Sequence, residues 1–398
     1  MNKQTGSILL VAGTCIGSGM IALPLVLAKL GIIPSAVLMV LTWLLMYYTS
    51  LVNLELNLQA GKGMSLGALG KHFSGPIAAS IGKLSLKLLS YALLAVFLYA
   101  GASITQTVFP QAIDLFWIQS AWGLMSILIL LLPIRLIDLM NRILFISLIG
   151  IVFVLLLGLI ATVSWAHLPL YSEQWTDWTA YSRVVPVVFT SFGFQVIFHT
   201  LSDYCKQDAA MLKKTFFWGS AIPAIVYISW TCAILGAIQS HHADFYSQMV
   251  LGTVEVGDLV CELSKITRWH SLQLLVGCVS LLAITTSIIG VGRGLYDTLS
   301  VHLRSKIFNK RLLNLTAAVL TLLPSYLVAV WVPNAFIIIL GFAGMILAII
   351  AVILPIYLLK TIKAKPFYYP VLKNNYWLYL SFMAGLAVIA AEIMNMLL

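Results

Sequence analysis

Long apolar runs separated by short polar connectors extend along the whole of this chain. A helix needs about 20 mainly apolar residues to cross a hydrocarbon core of roughly 30 Å. About eleven such windows are present, each roughly twice as long as a strand of a membrane barrel, so we expect membrane-spanning helices. They lie near residues 5–28, 33–54, 80–104, 118–134, 142–164, 182–204, 214–238, 271–298, 311–331, 335–359 and 376–397.

Composition supports a membrane protein and excludes a soluble one. Of the 398 residues, 61% are apolar and 9% are charged, whereas about 25% of the residues in a soluble domain are charged. The net charge is +10, but the basic residues are spread over short connectors, so nucleic acid is not expected as a partner. We predict one membrane domain over residues 1–398, surrounded by membrane lipid.

Basic residues mark every second connector between these runs. One set of connectors carries Lys3, Lys62 to Lys87, Arg135 with Arg142, Lys206 to Lys214, Arg293 to Arg311, and Lys360 to Lys373. The alternate connectors are mainly acidic, and their basic residues are Lys29, Arg183, Lys265 and Arg268. Because cytoplasmic loops are enriched in Lys and Arg, this pattern predicts eleven helices with a cytoplasmic N-terminus and an external C-terminus.

The first run and the cysteines indicate whether the chain is cleaved and whether it forms disulfide bonds. The first run is similar to a secretory leader, but it continues to about Leu30 and ten more runs follow it, so we expect an uncleaved first helix. Of the five cysteines, Cys261 alone lies in a predicted external connector. We therefore expect no disulfide framework.

Two of the runs contain residues that weaken a helix near the middle of the bilayer. Span 1, the first run, has Gly13, Gly17 and Gly19 close together, and each glycine weakens a helix by about 1 kcal/mol. Span 6 has a small and hydroxylated patch at 189–194. The offset of five spans is odd, so the two halves would enter the membrane from opposite sides, as in inverted-repeat transporters. We predict repeats over 5–165 and 180–362, with an additional helix at 375–397.

A packing seam of small residues between straight helices is the alternative for Gly13 and Gly17. A broken helix is favoured because Gly19 adds a third glycine and span 6 is interrupted at a comparable depth. Its half-helix starting near Gly17 would direct N–H groups and a positive dipole end at a carboxylate. Carbonyls around Gly13, Thr14 and Phe189 would accept from an ammonium group, so the pattern predicts a transporter of zwitterions.

A membrane enzyme is the alternative from another class. It would need clustered His, Asp or Glu ligands or a Ser–His arrangement at one depth, and the sequence offers neither. We therefore predict a protein that is not an enzyme and that needs no cofactor or metal.

Motifs in five of the runs match one family of transporters. They are GS at 6–7 followed by VAGTCIGSGMIALP at 11–24, FTSFGF at 189–194, GSAIP at 219–223, GVGRGLYD at 290–297 and LGFAG at 340–344. These segments resemble the bacterial aromatic amino acid permeases, the tyrosine and tryptophan transporters. The resemblance implies a LeuT-type all-α fold of five plus five inverted helices with an eleventh appended. It also implies a bacterial inner-membrane protein that imports an aromatic amino acid with protons. We expect L-tyrosine to be the preferred substrate, and the external C-terminus predicted from the charge pattern would then be periplasmic.

Two departures from the family pattern concern the substrate and the coupling ion. After Gly193 and Phe194 the family tends to show a His and then a Pro, where this chain has Gln195 and His199. Some proton-coupled relatives carry a Lys in span 5, where this chain has Leu148. A sodium-coupled transporter and a transporter of another neutral amino acid are therefore the alternatives.

The predicted substrate site combines the two interrupted runs with span 3. Its members from spans 1 and 6 are Gly13, Thr14, Cys15, Ile16, Gly17, Ser18, Gly19, Phe189, Thr190, Ser191, Phe192, Gly193, Phe194 and Gln195. Tyr91 or Tyr99 should face the site from span 3, with core packing as the alternative for each. Phe192 and Phe194 are candidates for stacking on an aromatic substrate, although rings in apolar helices usually pack.

A proton could be carried by a stripe of polar residues in span 6. Gln195, His199 and Asp203 are spaced four apart, which places them on one side of a helix. A His with an Asp one turn away suits a proton carrier near neutral pH. The alternative is structural, with Asp203 at the water interface and His199 donating a hydrogen bond.

Sodium could instead bind beside span 8. The hydroxyls of Thr286 and Ser287 would face the carbonyls of span 1 and complete an oxygen cage, although hydroxyls in membrane helices often bond to the preceding turn. Further along span 8, Arg293 and Asp297 lie one turn apart. We expect these two residues to pair or to line an inner gate, together with Lys3.

Overall fold

Helices are the regular elements of this computed structural model, which describes residues 3–108, 113–163, 165, 168–266, 270–304, 309–332, 335–362 and 366–397. In chain order they are α1 (Lys3–Cys15), α2 (Ser18–Leu27), α3 (Ile32–Ala60), α4 (Leu66–Phe73), α5 (Pro76–Val108), α6 (Leu115–Leu131), α7 (Ile134–Thr162), α8 (Trp178–Ser191), α9 (Phe198–Tyr204), α10 (Ala209–His241), α11 (Ala243–Leu251), α12 (Val256–Ile266), α13 (His270–Leu303), α14 (Lys310–Trp331), α15 (Ala335–Ala348), α16 (Leu354–Thr361) and α17 (Asn375–Leu397). Residues Gln195–Ile197 and Pro370–Lys373 form 3₁₀ turns, and Ile349–Ile353 is π-helical. The all-α prediction is confirmed for these residues.

Each predicted window coincides with a helix or a pair of helices. Among the described residues, eight helical stretches are long and apolar enough to cross a membrane, and α1 with α2 forms a ninth that is bent by 49°. The apolar helix α6 is shorter, at 17 residues, and α8 with α9 is interrupted. Length and composition thus support eight or nine spans, and the eleven-span topology remains a prediction.

Both predicted helix breaks are present. In span 1, Ile16 and Gly17 separate α1 from α2, within the segment between Gly13 and Gly19 where the three glycines predict a break. In span 6, the break lies at 192–197, later than the predicted 189–194. The α-helix continues through Thr190 and Ser191, whose hydroxyls donate to carbonyls of the preceding turn at 2.8 and 3.0 Å, so that both polar groups have a partner inside the helix.

Two groups of helices surround the breaks. In the first group, α10 packs on α1, α2 and α3; in the second, α5 packs on α6, α13 and α14. Helix α15 contacts both α5 and α8, while α17 packs on α8 and α15. Because α2 and α8 are also in direct contact, the ends of the two interrupted spans come together. The repeats at 5–165 and 180–362 remain a prediction.

Candidate substrate site

One buried tyrosine joins the ends of the two interrupted spans. Tyr227 of α10 is fully buried, and its hydroxyl lies within hydrogen-bonding distance of the Cys15 carbonyl and 3.0 Å from the Ser191 carbonyl. Cys15 ends α1 and Ser191 ends α8. A hydroxyl has one proton to donate, so the two carbonyls share it. Tyr227 was not among the predicted site residues, because a single tyrosine in an apolar run gives no sign of a contact so distant in sequence.

A glycine allows the two spans to approach closely. A Cβ atom on Gly19 would lie 2.6 Å from the Cβ of Ser191, which is too short for two carbon atoms. Any side chain at position 19 would therefore push α2 away from α8. The interruptions of spans 1 and 6, which together contribute most of the predicted substrate site, thus lie next to each other.

The start of α2 lies at this junction, since a Cβ atom on Gly19 would contact Ser191. Gly17 precedes α2 and provides no side-chain cap, and the Met20 N–H bonds back to the Gly17 carbonyl at 3.1 Å. The first N–H groups of a helix have no intrahelical acceptor, and with the helix dipole they favour an anion. Of the last four carbonyls of α1, that of Ala12 accepts from the Ile16 N–H and that of Cys15 from the Tyr227 hydroxyl. The carbonyls of Gly13 and Thr14 are the remaining candidates to accept from a cation. The Phe189 carbonyl, predicted to be free, instead accepts from the Phe192 N–H at 3.2 Å.

Span 8 also reaches the break of span 1. A Cβ atom on Gly17 would lie 2.6 Å from the hydroxyl oxygen of Ser287, so Ser287 lies beside this break. Its hydroxyl donates to the Ala283 carbonyl at 2.7 Å, and Thr286 likewise bonds to the preceding turn. Both hydroxyls thus make the structural bond that was the alternative to a sodium site, while keeping lone pairs free.

Comparison with known families decides what kind of protein presents this junction. Residues 1–392 match the model of the tryptophan/tyrosine permease family. The chain belongs to this family. The Tyrosine-specific transport system 1 of Haemophilus influenzae is 29% identical over 89% of this chain and 87% of its own length. The Tryptophan-specific transport protein of the same organism is 28% identical, over 98% and 95%. Glutamine transporter 2 of Aliivibrio fischeri is 24% identical, over 91% and 90%.

The permease is therefore a multi-pass membrane transport protein and not an enzyme. Three aromatic rings predicted near the substrate are buried in its core: Phe189, Phe192 and Phe194. The Phe192 ring packs edge-on against Tyr227, with centroids 5.5 Å apart, and Phe194 lies 5.8 Å from Phe216. This is the packing arrangement that was the alternative to stacking on the substrate.

The hydroxyl of Thr14 bonds within its own helix, to the Leu10 carbonyl at 2.7 Å. A Cβ atom on Gly13 would lie 2.6 Å from the Phe145 ring, and one on Gly193 would lie 2.9 Å from the Thr190 carbonyl. Ile16 is buried, and the side chain of Ser18 lies outside the described part of the chain. The small residues of both interruptions thus serve close backbone packing.

The structure does not bring the span 3 tyrosines to the junction of the breaks. The Tyr91 hydroxyl donates to the Leu320 carbonyl of α14 at 3.0 Å. The Tyr99 hydroxyl donates to the Glu255 carboxylate at 2.8 Å. The hydroxyls of Tyr91 and Tyr99 are thus both bonded to other parts of the chain.

Gln195 faces α3 from the 3₁₀ turn of span 6. Its amide nitrogen lies 3.5 Å from the Met46 sulfur, and its buried Oε1 has no partner among the described residues. Gln195 also lines a cavity of about 40 Å³ with Asn53, Asn57 and Ser65. The side chains of His199 and Asp203 lie outside the described part of the chain.

The predicted gate residues occupy two places. Arg293 pairs with Asp297 at 2.7 Å, as predicted, and its guanidinium lies 4.8 Å from the Tyr296 ring centroid. The Lys3 ammonium lies 5.9 Å from the ring centroid of Tyr204, at the end of α9. The contact of Lys3 is therefore with span 6.

Proposed function

We propose that this permease imports an L-aromatic amino acid, L-tyrosine most readily, by proton symport with alternating access. The observation that carries the proposal is the junction of two interrupted spans at Tyr227. A junction of this kind presents backbone donors and acceptors in the protein interior, where an amino acid's charged groups lose water and need partners.

The substrate would bind with its carboxylate at the start of α2 and its ammonium at the last carbonyls of α1. Gly17 and Gly19 add no side chain on either side of Ser18 at the start of α2, so a carboxylate can approach the N–H groups of these two residues closely. The aromatic side chain would extend toward span 6 and Gln195, whose unpaired Oε1 can accept from a phenolic hydroxyl. The names of the tyrosine and tryptophan relatives support an aromatic substrate.

The proposed architecture is the LeuT-type arrangement of five plus five inverted helices and an eleventh, in a bacterial inner membrane with a cytoplasmic N-terminus. It is supported by interruptions in the first and sixth predicted spans and by the two groups of packed helices around them. Movement of one group against the other would open the junction to each side in turn.

A sodium-coupled mechanism is the second candidate, and one contact favours it. Ser287 lies against Gly17 at the break of span 1, where its free lone pairs and the nearby carbonyls could bind a hard cation. For proton symport, the His199 and Asp203 stripe remains the proposed carrier.

Uptake of radiolabelled L-tyrosine into liposomes that contain the purified permease tests the proposal. A pH gradient, acidic outside, should drive accumulation, and L-tryptophan and L-phenylalanine should compete more strongly than L-glutamine. Accumulation driven by a sodium gradient alone would favour the second candidate. Stronger competition by L-glutamine would overturn the aromatic assignment.

A further inference from the structure

A buried carboxyl group lies in the last helix, away from the junction of the breaks. Glu392 is the single charged residue of α17 and is 3% exposed. Its carboxyl group lies on the backbone of α15, since a Cβ atom on Gly341 would be 2.5 Å from one carboxyl oxygen and 2.8 Å from the other. Ionisable groups within the membrane are costly and usually functional.

The amide of Asn395 connects this carboxyl group to span 6. The Asn395 Nδ2 lies 3.2 Å from Oε2 of Glu392 and donates to the Ser182 carbonyl at 2.8 Å. The Ser182 hydroxyl in turn donates to Oδ1 of Asn395 at 3.0 Å. Pro186 has no N–H, so the carbonyl four residues earlier, that of Ser182, lacks its usual helix partner. Asn395 supplies the missing donor and at the same time holds Glu392.

The surroundings of Glu392 provide no compensating positive charge within the described residues. Helix α15 and the π-helical segment contain no titratable residue. Helix α8 contains Tyr181 and the exposed Arg183, whose charge acts on Lys29 and Asp177. Lys373 lies beyond the opposite end of α17, roughly 25 Å along the helix. A carboxylate buried in this way is costly, whereas the neutral acid is tolerated.

The packing around Glu392 extends to the break of span 6. Next to Gly341, the Leu340 carbonyl accepts from the Thr190 hydroxyl at 2.9 Å. A Cβ atom on Gly344, one turn later, would collide with the Pro186 carbonyl of α8. The backbone of α15 thus touches Glu392 on one side and the last turn of α8 on the other.

We infer that Glu392 is a proton-binding site of the permease. Its carboxylate binds one proton from water when α8, α15 and α17 pack together as in this structure, and it releases the proton when they separate. Because the proton binds the packed state better, acid shifts the equilibrium toward that state. Glu392 is a positioning residue that acts on span 6 through α15 and Asn395. Its role in transport rests on the proposed proton symport.

Infrared difference spectroscopy of the purified full chain tests proton binding without any substrate. The wild-type protein should show the carbonyl stretching band of a protonated carboxylic acid at neutral pH, and Glu392→Gln should lack it. Glu173→Gln is the matched control, because Glu173 is exposed in the connector before α8. Identical acid bands in the wild type and Glu392→Gln throughout a pH titration would overturn the inference.

Transport provides the second measurement. In Glu392→Gln, whose amide resembles the protonated acid, accumulation driven by a pH gradient should fall about fivefold or more, while exchange of labelled for unlabelled L-tyrosine persists. Glu392→Asp retains the acid and should preserve pH dependence, which keeps the test valid if the Gln variant folds poorly. If folded Glu392→Gln keeps the pH profile of the wild type, the inference about Glu392 is wrong and the proposed function is unaffected. If no variant and no wild-type protein transports L-tyrosine while the infrared band is present, the proposed function is wrong and proton binding by Glu392 is unaffected.

Discussion

At the scale of single residues, the Tyr227 hydroxyl is the contact that both interrupted spans share. It satisfies carbonyls at the ends of α1 and α8, which otherwise would lack donors in an apolar interior. A buried polar group without a partner costs more than a typical hydrogen bond contributes. The hydroxyl therefore stabilises this junction in addition to the packing of the buried ring.

Tyr227→Phe should lower the free energy of unfolding by about 1 to 3 kcal/mol, because two carbonyls lose their donor. It should also reduce L-tyrosine uptake strongly, since the ends of α1 and α8 are no longer held together. Thermal unfolding and liposome uptake measure the two effects. Tyr326→Phe is the control, because that hydroxyl bonds to Ser120 between α14 and α6. Equal uptake by the two variants would show that the junction does not depend on Tyr227.

Gly17 can be tested together with Ser287. The Cβ of Gly17→Ala would lie 2.6 Å from the Ser287 hydroxyl oxygen but 3.8 Å from its Cβ. Gly17→Ala should therefore impair uptake, and the double variant with Ser287→Ala should recover part of it, as a double-mutant cycle would reveal. If the double variant is as impaired as Gly17→Ala, the loss arises from the backbone or the substrate position instead.

At the scale of elements, the connector after α10 is tied to the end of α2. The buried Lys29 donates to the Val250 carbonyl at 2.8 Å, and the Tyr246 hydroxyl donates to the Ala28 carbonyl at 3.2 Å. Gly252 has φ of 80°, a conformation that favours glycine, and a Cβ there would lie 2.8 Å from the Lys29 ammonium. Helix α11 thus covers the turn that follows the first interrupted span.

This contact predicts a pH dependence of stability. Burial lowers the pKa of Lys29 below its usual 10.5, and the charge of Arg183 lowers it further, while Asp177 raises it. The folded chain thus holds the proton of Lys29 less tightly than the unfolded chain does. The free-energy cost of burying the charged ammonium is therefore fully present below the folded-state pKa and is relieved as the pH rises through that pKa toward 10.5.

As the pH rises above neutral, the melting temperature of the wild type should therefore increase relative to that of Lys29→Met. Lys265→Met should show the opposite trend, because the hydrogen bond to Glu262 raises the pKa of Lys265 and its contribution is lost as pH rises. Parallel trends for the two variants would mean that the Lys29 ammonium is not buried against α11.

The elements were more predictable from the sequence than the contacts between them. The length of the apolar runs predicted the helices, and three glycines predicted the break at Ile16 and Gly17. Both predictions succeeded because apolar length and glycine content are local properties of the sequence. The break in span 6 begins three residues later than predicted, since Thr190 and Ser191 fit a helix. Tyr227, Glu392 and Asn395 were missed because their partners are far away in sequence, and only the packed fold shows which polar atoms meet.

At the scale of the whole molecule, coupling requires that an ion site and the junction respond to the same movement. If the His199 and Asp203 stripe carries protons, His199→Ala should abolish accumulation driven by a pH gradient but spare exchange, which needs no net proton movement. If sodium is the driving ion, Thr286→Val with Ser287→Ala should uncouple transport instead. Accumulation and exchange, measured under either gradient, separate these outcomes; normal accumulation in both variants would exclude both sites.

In the proposed mechanism, backbone groups at the two helix breaks recognise the charged ends of an aromatic amino acid. Competition against L-tyrosine uptake by tyramine, which lacks the carboxylate, and by 3-(4-hydroxyphenyl)propionate, which lacks the ammonium, measures this most directly. Each analogue keeps the aromatic ring but leaves charged-group partners unpaired, so each should compete at least about tenfold more weakly than unlabelled L-tyrosine. Competition by either analogue as strong as that of L-tyrosine would contradict the account.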